Sequence, residues 1–162
     1  MIKLRTLNLE KFDITNIDHY TLAKRLHTDL NVTSYISANF LDFVEKIEVN
    51  GGEDDYQLLT PYVVRNEKNV PVGMLGSLSE NKNKEVDLWY AINPNYRGYG
   101  YGRKILSQIT QYLIEEKYDD IILEIDSKNV ESNGLAISQG YNKVTESYNG
   151  RNKINVYQYF KK

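Results

Sequence analysis

Cysteine is absent from this chain of 162 residues, which excludes disulfides, thiolate metal sites and a covalent acyl-cysteine intermediate. Histidine is almost absent as well. His19 and His27 are the only two, and a pair without cysteine is a poor zinc set and a poor start for Ser-His-Asp chemistry. No metal is expected. Long apolar runs are missing too: the longest is Leu88–Ile92, far short of the ~20 residues that span a bilayer. The N-terminal stretch Met1–Phe12 mixes apolar and charged residues and has no apolar signal core. A soluble, cytoplasmic protein with no membrane partner is therefore expected. Neither sign of charge dominates, with 20 Lys+Arg against 22 Asp+Glu for a net charge of −2. That balance leaves no basic face and argues against a nucleic-acid partner.

What remains is the make-up of an ordinary globular domain, 41% hydrophobic and 26% charged. The length suits one domain over residues 1–162. A chain of this size buries roughly 68–70% of its unfolded surface and needs no staples. Ile2–Leu9 reads as a first strand. Asn16 opens a helix over Ile17–Leu30, with Ile17, Leu22, Leu26 and Leu30 as its apolar face. A second helix is expected at Ala38–Val49, stopped by Asn50-Gly51-Gly52. Pro61–Arg65 and Val70–Leu78 read as a hairpin, and Val86–Ile92 adds a third strand to make an antiparallel meander. Arg103–Lys117 carries Ile105, Leu106, Ile109, Leu113 and Ile114 at helical spacing. Ile121–Ile125 reads as a buried strand and Val130–Gln139 as a short helix, ended by Gly140 where a left-handed cap favours glycine. Val144–Ser147 and Ile154–Phe160 close the chain as strands. The order predicts a mixed α/β domain with one βαβ crossover in its middle.

The most informative segment is Ile92-Asn93-Pro94-Asn95-Tyr96-Arg97-Gly98-Tyr99-Gly100-Tyr101-Gly102-Arg103. Alternating glycines remove Cβ atoms where a loop runs into a helix, so backbone N–H groups can approach a ligand. The helix N-terminus adds unsatisfied donors and the positive end of its dipole. Arg97 and Arg103 bracket the turn with positive charge. This is an anion cradle, and spacing narrows the anion. A P-loop needs G-x-x-x-x-G-K-[ST], which does not occur. The dinucleotide fingerprint G-x-G-x-x-G has a different spacing and follows an early strand. A turn rich in glycine only because it is tight is the plainer reading.

Arg97-x-x-Gly100-x-Gly102, after a strand ending Tyr90-Ala91-Ile92-Asn93-Pro94, resembles the acetyl-CoA motif R/Q-x-x-G-x-G/A of the GNAT N-acetyltransferases. A second stretch, Leu123-Glu124-Ile125-Asp126, then Asn129-x-x-Ser132 and Gly140-Tyr141, is similar to that family's strand, N-x-x-[AS], helix and G-F/Y. The two lie one helix apart. The resemblance implies a mostly antiparallel central sheet with a splayed parallel strand pair and flanking helices. It implies transfer of an acetyl group from acetyl-CoA to a primary amine by direct attack. The acceptor classes it covers are protein N-termini, polyamines and other small amines, and the branch most alike includes ribosomal-protein N-terminal acetyltransferases. A homodimer is common in the family.

Residue by residue, the resemblance implies that the cofactor pyrophosphate rests on Arg97, Gly98, Tyr99, Gly100, Tyr101, Gly102 and Arg103. The pantetheine arm would lie between Asp87–Ile92 and Ile121–Ile125, along the backbone of Ala91 and Ile92. The Ala91 N–H would polarise the thioester oxygen, and Asn129 would hydrogen-bond the arm or simply cap its helix. The attacking amine must be neutral, although a lysine-like amine has a pKa near 10.4. Glu124 is the first choice of base, a charge inside an otherwise apolar strand; Asp87 is the second. Each could equally be a strand-end carboxylate facing solvent. Where many members carry a tyrosine to protonate the leaving thiolate, this chain has Ala136, so Ser132 is the nearest hydroxyl, and water could also serve. Tyr35, Tyr56, Tyr148 and the acidic Glu53-Asp54-Asp55 are candidates for the acceptor groove. Two other readings stay open: a catalytically silent acyl-CoA sensor, and a nucleotide-binding regulatory domain.

Overall fold

The structure, a computed structural model, describes residues 1–27, 61–81 and 83–160. In chain order it contains β1 (Ile2–Lys3), β2 (Asn8–Lys11), α1 (Ile17–His27), β3 (Tyr62–Arg65), β4 (Pro71–Glu80) and β5 (Glu85–Ile92). A 3-10 turn at Pro94–Tyr96 leads into α2 (Tyr101–Glu115), β6 (Asp120–Asp126), α3 (Val130–Ser138), β7 (Asn142–Asn149) and β8 (Asn152–Phe160). The strands form one sheet in the order β1-β2-β3-β4-β5-β6-β8-β7. Every neighbouring pair is antiparallel except β5 and β6. The expected mixed α/β architecture with a single parallel pair is thus present. The second helix at Ala38–Val49, Tyr35, Tyr56 and Glu53-Asp54-Asp55 lie outside the described residues, as does Leu30.

The first strand differs from its sequence reading. Ile2–Leu9 is two short strands folded on each other, Ile2 against Leu9 and Lys3 against Asn8, with the Leu4 N–H donating to the Leu7 carbonyl. A long-range clamp explains the break. Gln108 of α2 accepts from the Thr6 N–H at 2.9 Å and donates to the Thr6 hydroxyl at 2.6 Å. Helix α1 starts as expected, with Asn16 Oδ1 accepting from the Asp18 and His19 N–H groups. Its buried face is His19, Leu22, Ala23 and Leu26, whereas Ile17 is exposed. Ile17 precedes Leu22 by five residues, which places it about 140° around the helix.

Strand alternation divides the core in two. Val63, Met74, Trp89 and Ala91 point to one face and pack with Phe12, Leu22, Ala23 and Leu26 under α1. Val64, Leu75, Leu88 and Leu123 point to the other, against Ile105, Leu106, Ile109 and Leu113 of α2 and Ala136 of α3. The helix α2 runs longer at its start than its sequence reading, because Tyr101 and Gly102 already belong to its first turn. Helix α3 ends at Gly140, whose φ of +90° is the left-handed geometry expected there. Tyr141 behind it is buried in the core, and its hydroxyl lies 2.6 Å from that of Thr110.

Candidate active site

The parallel pair holds register from Glu85↔Asp120 to Leu88↔Leu123 and then stops. Both strands continue beyond that point, β5 to Ile92 and β6 to Asp126. Each remains paired on its outer side, β5 to β4 as far as Ile92↔Gly73 and β6 to β8 as far as Asp126↔Ile154. The inner edges therefore diverge while the outer edges stay braced. Between them lies a cleft of about 430 Å³. Leu88–Ile92 form one wall and Leu123–Asp126 the other; Arg97, Gly98 and Gly100–Arg103 close one end, and Asn129, Ser132 and Leu135 border α3. Gly73 lets the β5 wall pack tightly from behind, since a Cβ there would stand 2.5 Å from the Ala91 carbonyl oxygen.

The cradle has the geometry that the glycines suggest. Gly98 and Gly100 hold φ of +82° and +81°, so glycine is required by backbone conformation. Gly100 is the N-cap of α2 and supplies no side chain to its first turn, whose N–H groups are left for a ligand. Asn93 shapes the approach: its Oδ1 accepts from the Asn95 N–H and its Nδ2 donates to the Pro71 carbonyl. Gly102 is helical, and a Cβ there would meet Leu135 Cδ2 at 3.4 Å, so folding alone does little to demand glycine. An uncapped helix N-terminus between two arginines, with a glycine where the fold leaves room, fits a pyrophosphate. Of the expected cradle and strand residues, Ala91, Ile92, Arg97, Gly98, Gly100, Tyr101, Gly102, Arg103 and Asn129 line the cleft. Tyr99 is not in its lining; it stands exposed, its ring 6.2 Å from that of Tyr96.

Glu124 lines the cleft, and Asp87 lies beside it on the neighbouring strand. Residues alternate along each strand, so both carboxyls emerge on the α1 face of the sheet. Asp87 Oδ1 is buried without a hydrogen-bond partner of its own. Burial, then hydrogen bonding to Glu124 and the charge of its carboxylate, pushes the Asp87 carboxyl up to about 8. The pair holds a proton that isolated carboxylates would have lost. A shift of register in β4 between Ser77 and Ser79, opposite Leu88 and Asp87, accompanies this packing.

On the opposite side of the cleft, Asn129 caps α3 by accepting the Ser132 N–H at 3.1 Å. The cap fixes Ser132 at the cleft margin. Asn133 extends the brace, donating to the Asp126 carbonyl and accepting from the Tyr157 hydroxyl at 2.6 Å. Ala136, one turn on, is fully buried and offers only a methyl group. Tyr148 is exposed on β7 and is not part of the cleft lining. Among the described residues no group of three or more His, Cys, Asp or Glu gathers to hold a metal ion. No described helix is long and apolar enough to cross a membrane.

Among the lining residues that the sequence reading did not name as site members are two with side-chain chemistry of note, Tyr90 and Glu131. Tyr90 sits in the apolar run Leu88–Ile92 and reads there as core. Only the end of strand pairing at Leu88 turns it into a cleft residue.

The model of the acetyltransferase (GNAT) family matches residues 25–141, well over half of the chain. No curated protein sequence matches significantly. Among solved structures, an acetyltransferase (GNAT family) from Bacillus anthracis superposes with a TM-score of 0.74 at 18% identity, covering 98% of this chain and 97% of its own. The spermidine N-acetyltransferase from Vibrio cholerae, in complex with CoA and spermine, gives a TM-score of 0.77 at 16% identity over 96% of this chain and 95% of that one. A Vibrio cholerae protein described as a ribosomal-protein-serine acetyltransferase gives 0.73 at 17% identity, covering 99% and 97%.

Proposed function

This chain belongs to the acetyltransferase (GNAT) family, and on that premise we propose that it moves an acetyl group from acetyl-CoA to the neutral primary amine of a cationic acceptor, with Glu124 as base. The observation that carries this reading is the carboxyl pair beside a cleft whose far end is an anion cradle. Acetyl-CoA, when bound, supplies an activated acyl group and a sulfur leaving group. The Arg97–Arg103 backbone and the first turn of α2 would hold its pyrophosphate. The unpaired inner edge of β5 at Ala91 and Ile92 would hydrogen-bond its arm as an added strand does, and Asn129 would contact the same arm while capping α3.

Glu124 takes the proton that the amine must lose, and Asp87 tunes it by sharing a hydrogen. Two neighbouring carboxyls also attract a cationic amine before it is deprotonated. Ser132 holds its hydroxyl on the leaving-group side, where a thiol with a pKa near 8.5 needs only modest help. The solved neighbour that binds spermine supports a polyamine as the first acceptor to try, with peptide N-termini and other small amines next.

The test is acetyl transfer to a panel of such amines, together with CoA binding, by the intact protein and by Glu124→Gln. Loss of turnover with unchanged CoA affinity supports the assignment. Full turnover in Glu124→Gln removes Glu124 as base, and CoA binding without transfer to any amine leaves cofactor binding as the function.

A further inference from the structure

The Tyr90 hydroxyl oxygen is buried and has no hydrogen bond of standard geometry, although the residue borders the cleft. A buried phenol without a partner is costly, and native structures keep few of them without a use. Its position is specific. Tyr90 lies just beyond Leu88, where β5 and β6 part, and its ring packs against the core cluster that also contains Ala136 of α3. Across the cleft stands Ser132, placed by the Asn129 cap. Ser132 lies close enough to favour the ionised phenol, but burial outweighs it and pushes Tyr90 up to about 12. At neutral pH the phenol therefore keeps its proton and can act only with its hydrogen in place.

We propose that Tyr90 is a positioning residue for the leaving-group side of the reaction: its O–H donates to Ser132 Oγ and so turns the Ser132 hydrogen toward the sulfur that departs. A phenol from β5 thereby serves where α3 offers only the methyl of Ala136. No proton leaves Tyr90. The inference rests on the role of Ser132 stated above.

Tyr90→Phe removes the hydroxyl and little else. With acetyl-CoA and spermine as the acceptor probe, kcat falls about tenfold while KM for acetyl-CoA is unchanged. Thermal stability changes little, since the hydrogen bond to Ser132 is lost together with the cost of burying the hydroxyl. The double variant Tyr90→Phe/Ser132→Ala is no slower than Ser132→Ala, because the two groups act in series. Wild-type kcat in Tyr90→Phe, or losses that multiply in the double variant, overturns the proposal. Impaired Ser132→Ala beside a normal Tyr90→Phe overturns this inference and leaves the role of Ser132 standing, whereas a normal Ser132→Ala removes both. A readout independent of turnover is the 13Cζ resonance of Tyr90, assigned with Tyr90→Phe. It shifts in Ser132→Ala if the hydroxyls are joined, and an unmoved signal overturns the proposal even if no amine is acetylated.

Discussion

The Asp87 and Glu124 carboxyls lie close together on the two strands of the parallel pair, on the face of the sheet that carries α1. The folded protein keeps the Asp87 proton up to about 8, whereas an ordinary aspartate loses it near 3.8. Between those values the folded state binds more protons than the unfolded chain, so stability declines as pH rises through that window. Asp87→Asn removes this dependence. Thermal melts from pH 5 to 9 show a smaller decline for the variant than for the wild type. The kcat profile changes as well, losing any inflection near pH 8 that the Asp87 proton sets. Parallel melting and rate profiles for the two proteins would separate Asp87 from the chemistry.

Glu124→Gln keeps the shape of the side chain and removes the base. General-base catalysis contributes about 10²- to 10⁴-fold, and kcat falls within that range. CoA affinity, followed by calorimetry, is unchanged. A parallel loss of CoA affinity would place Glu124 in cofactor binding.

Gly102→Ala separates folding from binding. Alanine is better than glycine in a helix by about 0.8–1.0 kcal/mol in its interior, and the added Cβ meets Leu135 only at 3.4 Å. Thermal stability is retained or rises. The same methyl stands at the lip of the cradle, so CoA affinity falls about tenfold or more, a loss of at least about 1.4 kcal/mol. Gly100→Ala behaves differently. Its φ of +81° makes the substitution strained, costing about 1–2 kcal/mol in folding as well as in binding.

Asn129 has two duties that substitution can split. Asn129→Ala loses the cap on the Ser132 N–H, which costs about 1 kcal/mol, or about 2–4 °C in Tm for a domain of this size. Asn129→Asp keeps the cap and the wild-type Tm. If the amide also donates to the cofactor, the aspartate variant loses CoA affinity without losing stability. Equal affinity in wild type and Asn129→Asp makes the residue a cap alone.

The cradle and the Asn129 cap were legible in the sequence because both depend on local rules. Glycine at left-handed φ and asparagine before a first helical turn act over a few residues. The hydrophobic spacing of Ile105, Leu106, Ile109 and Leu113 likewise fixed one face of α2. Features set by distant partners were not legible. The turn at Leu4–Leu7 has neither glycine nor proline and is held by Gln108, so its residues read as continuous strand. The exposed Ile17 belongs to the right composition but the wrong angle on α1. Tyr90 is the clearest case. Nothing within Leu88–Ile92 tells that β6 turns away beside it, and a tyrosine among apolar neighbours reads as packing.

The outer bracing of β5 by β4 and of β6 by β8 has a consequence for amide exchange. Along Trp89–Ile92, amides directed at β4 are tied into a ladder whether or not the cleft is filled, and those directed at β6 have no such tie. Alternate amides of this stretch should therefore exchange with solvent deuterium at different rates in the free protein. On binding CoA, the fast set alone slows, while its neighbours keep their rates. The sheet edge would thus record occupancy of the cleft with a period of two residues, with no movement of the strands themselves.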